Sequence, residues 1–171
     1  ALFLISQGKI AEAERICRRL LQSRENLSRT RMTARTRCLL AKALYLQGRM
    51  GEAREALAPA ATCHDDEQLL WDRAEFSLPL EAMLATAPSA ARAKLDQAEA
   101  QHRSFENPLG LVKILCLKAR MFRQDRGLDE IKHLCAESSA LRDCPLAARI
   151  IREWEAWVQG PPDEGRSGDW W

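Results

Sequence analysis

Apolar residues return every three or four positions along most of this chain, with charged and amide residues between them. No run of alternating β-branched residues suggests a strand. Read with caps and breakers, the period predicts helices over residues 1–7, 9–24, 29–47, 50–62, 66–86, 89–104, 108–125, 128–140 and 145–158. Ser28 or Thr30, Ser89 and Asn107 stand where an N-cap oxygen is wanted, and Pro108 follows Asn107 at the first helical position. Pro79 falls inside the fifth helix, where its missing N–H and its ring predict a kink or break. The connections are short, as antiparallel helix neighbours require. The fold class is therefore all-α.

The pattern also repeats. Gln7-Gly8-Lys9-Ile10-Ala11-Glu12-Ala13-Glu14 lines up with Gln47-Gly48-Arg49-Met50-Gly51-Glu52-Ala53-Arg54, 40 residues later. A weaker copy follows at Pro88-Ser89-Ala90-Ala91-Arg92-Ala93, and a fourth at Arg126-Gly127-Leu128-Asp129-Glu130-Ile131, giving spacings of 40, 40 and 38 between Ala13, Ala53, Ala93 and Ile131. The fourth copy carries Cys135 where the first has Cys17. Gly8 and Gly48 can take the left-handed conformation that ends one helix and lets the chain reverse. Ala13 and Ala53 are small where two helices must approach. Such a unit buries one face within itself and another against the next unit.

These residues give the chain a resemblance to the tetratricopeptide family. Leu40, Ala41, Leu44, Gly48, Ala53, Leu57 and Ala60 occupy the family's alternation of small and large packing positions. The fourth copy agrees through Ala119, Phe122 and Cys135, with Ile131 where a small residue is usual. The third copy is degenerate, and the family's leading Trp and closing Pro are missing. The period of 40 exceeds the family's, which is about 34. In that it is similar to the longer repeats of ATP-dependent LuxR-type bacterial activators of the maltose-regulator kind. The resemblance implies a right-handed α-solenoid of about four antiparallel helix pairs over residues 1–158, with a C-terminal capping helix. It also implies a role in binding rather than catalysis.

The last helix would supply that cap. Ile150, Trp154, Trp157 and Val158 recur at helical spacing, while Arg149, Arg152, Glu153 and Glu155 are polar. The same face could instead dock a following domain. Residues 159–171 are rich in Gly, Pro and charge, and read as a disordered linker or tail. Its Trp170 and Trp171 either stand exposed or pack back.

Composition narrows the possibilities further. Apolar residues make up 46% of the 171 and are mostly Ala and Leu, enough for a real core. No apolar stretch approaches the roughly 18 residues of a membrane span. The opening Ala1-Leu2-Phe3-Leu4-Ile5 lacks both a Met and a basic leader and reads as the interior of a helix. A fragment of a longer protein with an incomplete first helix is the expectation. Cysteines 17, 38, 63, 116, 135 and 144 include no C-x-x-C pair and several lie on apolar faces. Free thiols in a reducing, cytoplasmic setting follow. The net charge of +2 hides an asymmetry: residues 1–54 hold twelve Lys/Arg against four Asp/Glu, the remainder fourteen against twenty.

Signatures of chemistry are missing. Gln7-Gly8-Lys9 has no phosphate-loop context, and no G-x-G-x-x-G occurs. Cys63-His64 and His133 with Cys135 are too close in sequence to converge on a metal from one helix. His64, Asp65, Asp66 and Glu67 suit a helix start, where acids meet the dipole. No catalytic residue, metal or cofactor is expected, and the chain is not read as an enzyme.

Comparing leading helices yields the one candidate site. Aligning Ala41 with Ala119 pairs Arg35 with Lys113, Cys38 with Cys116, Lys42 with Arg120 and Tyr45 with Arg123, and Arg31 lengthens the first row. In each row the positions share one helix face. If the family's concave surface is formed by these helices, the rows line it. They would take an acidic peptide or protein segment, or a small anionic inducer. Glu75 interrupts the basic character, and a solvated helix face explains the same cations without a ligand. Arg24, Arg29, Arg31, Arg35 and Arg37 form a basic patch without interleaved aromatics, so nucleic acid is expected only through other domains, if at all. Two functions follow: a partner-binding scaffold, or the sensor segment of a multidomain bacterial transcriptional activator.

Overall fold

The computed structural model describes residues 1–23, 31–61, 67–122, 127–138, 141, 144–145 and 147–152. Among them every regular element is helical and no strand occurs. The helices are α1 (Leu2–Ser6), α2 (Ile10–Gln22), α3 (Arg31–Leu46), α4 (Met50–Ala61) and α5 (Glu67–Asp72), then a π-helical turn (Arg73–Ser77). Then come α6 (Leu78–Leu84), α7 (Pro88–Ser104), α8 (Pro108–Phe122) and α9 (Gly127–Glu137). Residues 147–152 are helical as well. The all-α class holds, and where a predicted boundary falls on a described residue it agrees to within a few residues. The caps at Ser28 or Thr30, Trp154 and Trp157, and the tail with Trp170 and Trp171 lie outside the described residues. The chain divides into two compact units, Ala1–Gln101 and His102–Trp171.

In the first unit the two glycine reversals are built alike. Gly8 has φ +73° and Gly48 φ +75°, the left-handed region that Gly enters without a Cβ penalty. Gly8 N–H donates to Ile5 O at 2.9 Å and Lys9 N–H to Leu4 O at 2.9 Å. Forty residues on, Gly48 N–H donates to Tyr45 O at 2.9 Å and Arg49 N–H to Leu44 O at 3.0 Å. Both are Schellman motifs, which satisfy carbonyls that a helix end would otherwise leave open. After each reversal the small residue expected on the trailing helix, Ala13 or Ala53, is wholly buried. Ala13 meets Ile5 and Ala43 in one cluster, flanked by Ile10, Leu39 and Leu46. α3 packs against both α2 and α4, and α4 against α6.

The third reversal differs. No glycine is available, and Ala85 is extended at φ −66°, ψ 140°. α7 then starts with Pro88 at its first position, and Ala87 O accepts the N–H of Ala91 at 3.1 Å. Ser89, expected as the cap, therefore lies inside the helix; Pro88 fixes the start because its missing N–H is no loss there. At Pro79, where a kink or break was expected, the helix instead carries a π turn just ahead of the proline. Leu78 N–H reaches back to Arg73 O, so an extra residue fits into the helix just before the proline, and α5 runs on into α6. Pro59, inside α4, gives up a further ladder bond near that helix's end.

The second unit packs α8 and α9 around Leu111, Val112, Cys116, Ile131, Ala147 and Ile150, all buried. Each full aliphatic side chain there contributes roughly 1.5–3 kcal/mol. Its first reversal repeats the Schellman pattern without glycine. Asn107 N–H donates to His102 O at 3.0 Å and Glu106 N–H to Arg103 O at 3.2 Å, with Glu106 at φ +50°. Asn107 then caps α8 as expected, its Oδ1 accepting the Gly110 N–H at 3.1 Å, while its Nδ2 lies 3.2 Å from His102 Nδ1. A Cβ at Gly110 would run into the His102 ring, so this glycine is fixed by close approach rather than by φ.

Candidate functional site

α3 carries Arg31, Arg35, Arg37 and Lys42 and no acid. The charge that meets it comes from Asp72, whose side chain is only 6% exposed. Arg31 donates to it twice, Nε to Oδ2 at 2.5 Å and Nη2 to Oδ1 at 3.1 Å. Arg35 Nε stands 3.8 Å from Oδ1, and the Arg35 guanidinium carbon lies 5.0 Å over the Phe76 ring. Asp72 immediately precedes the π turn and Phe76 lies within it, so the local geometry imposed ahead of Pro79 sets which face each presents.

Arg35 is 39% exposed and makes no hydrogen bond among the described residues. One carboxylate and one aromatic face hold it while its N–H groups remain available to a ligand. A cleft beside it is lined by Ala34, Cys38, Ala60, Phe76 and Ser77 and offers about 10 Å³, close to the space of a single water.

The rest of the first row is placed differently from the expected open wall. Lys42 is 7% exposed and Cys38 4%. Burial pushes the Cys38 thiol up to about 12, reinforced by the charges of Glu81 and Asp72 and opposed by Arg35. Such a group is a small hydrophobe, not a nucleophile. Tyr45 is half-buried. In the second unit Lys113 and Arg120 are half-buried, while Cys116 is fully buried. Its thiol is pushed up to about 12 by burial and by Cys135. Arg123, like Arg24, Arg29, Cys63 and His64, lies outside the described residues. The helical period identified the shared face, but small and long residues on it sink into the packing between helices.

Asp72 was not among the residues expected at the site, where Glu75 was the acid read as interrupting the basic rows. A signal was present: Asp72 lies 41 residues after Arg31, within one position of the repeat. A residue displaced by one repeat is a neighbour in a stack.

A second polar cluster joins successive copies. Glu14 on α2 accepts from Arg18 Nε at 2.8 Å, from Gln47 Nε2 at 2.8 Å and from Arg49 Nη1 at 2.9 Å on both oxygens. Arg49 also forks onto Glu52 at 2.6 and 2.7 Å. Burial alone would raise the Glu14 carboxyl, but hydrogen bonds from Gln47, Arg18 and Arg49 hold it below the usual value. At the equivalent position of the next copy, Arg54 donates through Nε and Nη2 to Leu84 O at 3.0 and 2.9 Å.

Among the described residues no group of three His, Cys, Asp or Glu is placed to hold a metal, and no helix is long and apolar enough to cross a membrane. Comparison with protein-family models, with curated proteins and with solved structures finds no match.

Proposed function

We propose that this chain is a partner-binding helical-repeat module, a right-handed stack of antiparallel helix pairs over residues 1–158. Its ligand is an acidic peptide segment or protein surface, anchored at Arg35. The observation that carries the reading is the state of the Arg35 guanidinium: oriented by Phe76 and Asp72, 39% exposed, and not hydrogen-bonded among the described residues. A forked donor held in place loses little entropy on meeting a carboxylate. The lack of any acid along α3 adds a field of the right sign. Lys113 and Arg120 supply cations for the same class of ligand. The identical reversals at Gly8 and Gly48 support the stack itself.

The cleft favours a peptide carboxylate resting on the surface over an enclosed small inducer. A small-molecule site encloses about 300–1,000 Å³, and this cleft offers about 10 Å³. The free thiols of Cys17, Cys38, Cys116, Cys135 and Cys144 fit a reducing, cytoplasmic setting, which is part of the proposal.

An array of Asp/Glu-rich peptides probed with wild type and with Arg35→Gln tests it. Arg35→Gln is expected to weaken the retained peptides roughly tenfold, with the fold kept and only a small fall in melting temperature from the lost Phe76 contact. Retention of no acidic peptide, or equal affinity for the variant, would overturn the proposal. Reversing Lys42 is not a useful companion, because a buried Glu there would damage the fold.

A further inference from the structure

Phe3 is 70% exposed and Leu2 49%, the largest apolar exposure on α1. The repeat shows what such positions ordinarily meet. Shifted by 40, Leu2 and Phe3 become Lys42 and Ala43 of α3, which are 7% and 0% exposed. Ala43 is sealed by Ala13 and Ile5, with Ile10 beside them, so the cover at that position comes from the preceding helix pair. The polar groups around it form a matching set. Gln47 and Arg49 bind Glu14 of α2, and Arg18 of α2 reaches Glu52 at 3.4 Å. The equivalents of Gln47, Arg49 and Glu52 in the first copy are Gln7, Lys9 and Glu12, all exposed.

We infer that the face formed by Leu2, Phe3, Gln7, Lys9 and Glu12 docks an amphipathic α-helix of the α2 type. That helix places a small residue against Phe3, a glutamate beside Gln7 and Lys9, and, one turn after the glutamate, an arginine beside Glu12. The apolar centre and the flanking charge order are those of the α2–α3 contact carried one repeat back. Phe3, larger than the Ala43 it replaces, demands a recess, which a glycine or alanine on the incoming helix provides. This docking face is separate from the Arg35 cleft and does not depend on it.

The probe is a stapled helical peptide with the sequence of residues 10–22, titrated by fluorescence anisotropy into the full 171-residue chain. Saturable binding is expected, weakened roughly tenfold by Phe3→Asp and similarly by Lys9→Glu. Both substitutions sit on exposed side chains, and circular dichroism should show an unchanged melt. Lys9→Glu paired with a peptide carrying Glu14→Lys should recover most of the loss. Binding insensitive to Phe3→Asp and Lys9→Glu would mean that the peptide displaces the protein's own α2, and would overturn the inference. So would no binding. Concentration-dependent dimerisation abolished by Phe3→Asp, without competition from the peptide, would assign the face to a second copy and equally overturn it.

Discussion

At Gly48 the chain leaves α3 through a left-handed glycine, and Leu44 O accepts the backbone N–H of Arg49. Forty residues on, at Leu84, it leaves α6 through an extended alanine, and the carbonyl accepts the guanidinium of Arg54 instead. Both carbonyls are satisfied, one by local backbone and the other by a side chain from the preceding trailing helix. The residue at that trailing position matches the turn it faces. Glu14 meets a turn that presents the donors of Gln47 and Arg49, whereas Arg54 meets an acceptor. The opposite charges at equivalent positions are thus a consequence of turn chemistry, and a repeat can lose its glycine when a neighbouring repeat supplies the missing bond.

The largest expected effect tests that substitution of roles. Arg54→Met leaves Leu84 O without its donors and should destabilise the first unit by about 2 kcal/mol, read as a lowered urea midpoint. An unchanged midpoint would mean that water replaces the guanidinium freely. Next in size, Gly48→Ala forces a Cβ into the left-handed region and should cost about 1–2 kcal/mol. Ala85→Gly, at the extended reversal, should cost no more than about 1 kcal/mol, through the unfolded chain alone. Equal losses at the two sites would erase the distinction between them.

Glu14→Gln should cost about 1 kcal/mol near neutral pH, and it carries a pH signature. A carboxyl depressed in the folded state contributes stability that is complete above its unfolded pKa and is lost as pH falls through the folded value. Wild type should therefore lose stability below the ordinary 4.5 more steeply than Glu14→Gln, and the two should converge in acid. Parallel curves would show that the carboxylate contributes nothing. The smallest effect carries the comparison into the second unit. Glu106 holds the position of Gly8 and Gly48 in its own Schellman motif at φ +50°. Glu106→Gly should raise stability by up to about 1 kcal/mol, against the usual sign for introducing glycine. A loss would show that the side chain at 106 does more than tolerate its backbone.

The helices, the glycine reversals and the Asn107–Pro108 start were legible because each depends on residues within one turn. Ser89 misled because a proline one residue earlier took the start of α7. Glu106 was invisible as a reversal, since nothing local distinguishes a glutamate held at positive φ by the bonds around it. The site was half legible. Periodicity placed Arg31, Arg35 and Cys38 on one face, but Asp72 and Phe76 reach them from another helix, in a register set by the π turn. Burial of Lys42 likewise depends on a neighbouring helix. What one helix or the glycine repeat dictates could be read, including the small contacts at Ala13 and Ala53; the polar partners and burial set by another helix's register could not.

Capture of a carboxylate by the Arg35 guanidinium can be watched directly. In a nitrogen-15 NMR titration with a Glu-rich peptide, we expect the Arg35 Nε–H resonance to shift saturably and to slow in solvent exchange as a carboxylate takes up its donors. A peptide that binds while that resonance stays unmoved, or one that does not bind at all, would contradict that capture.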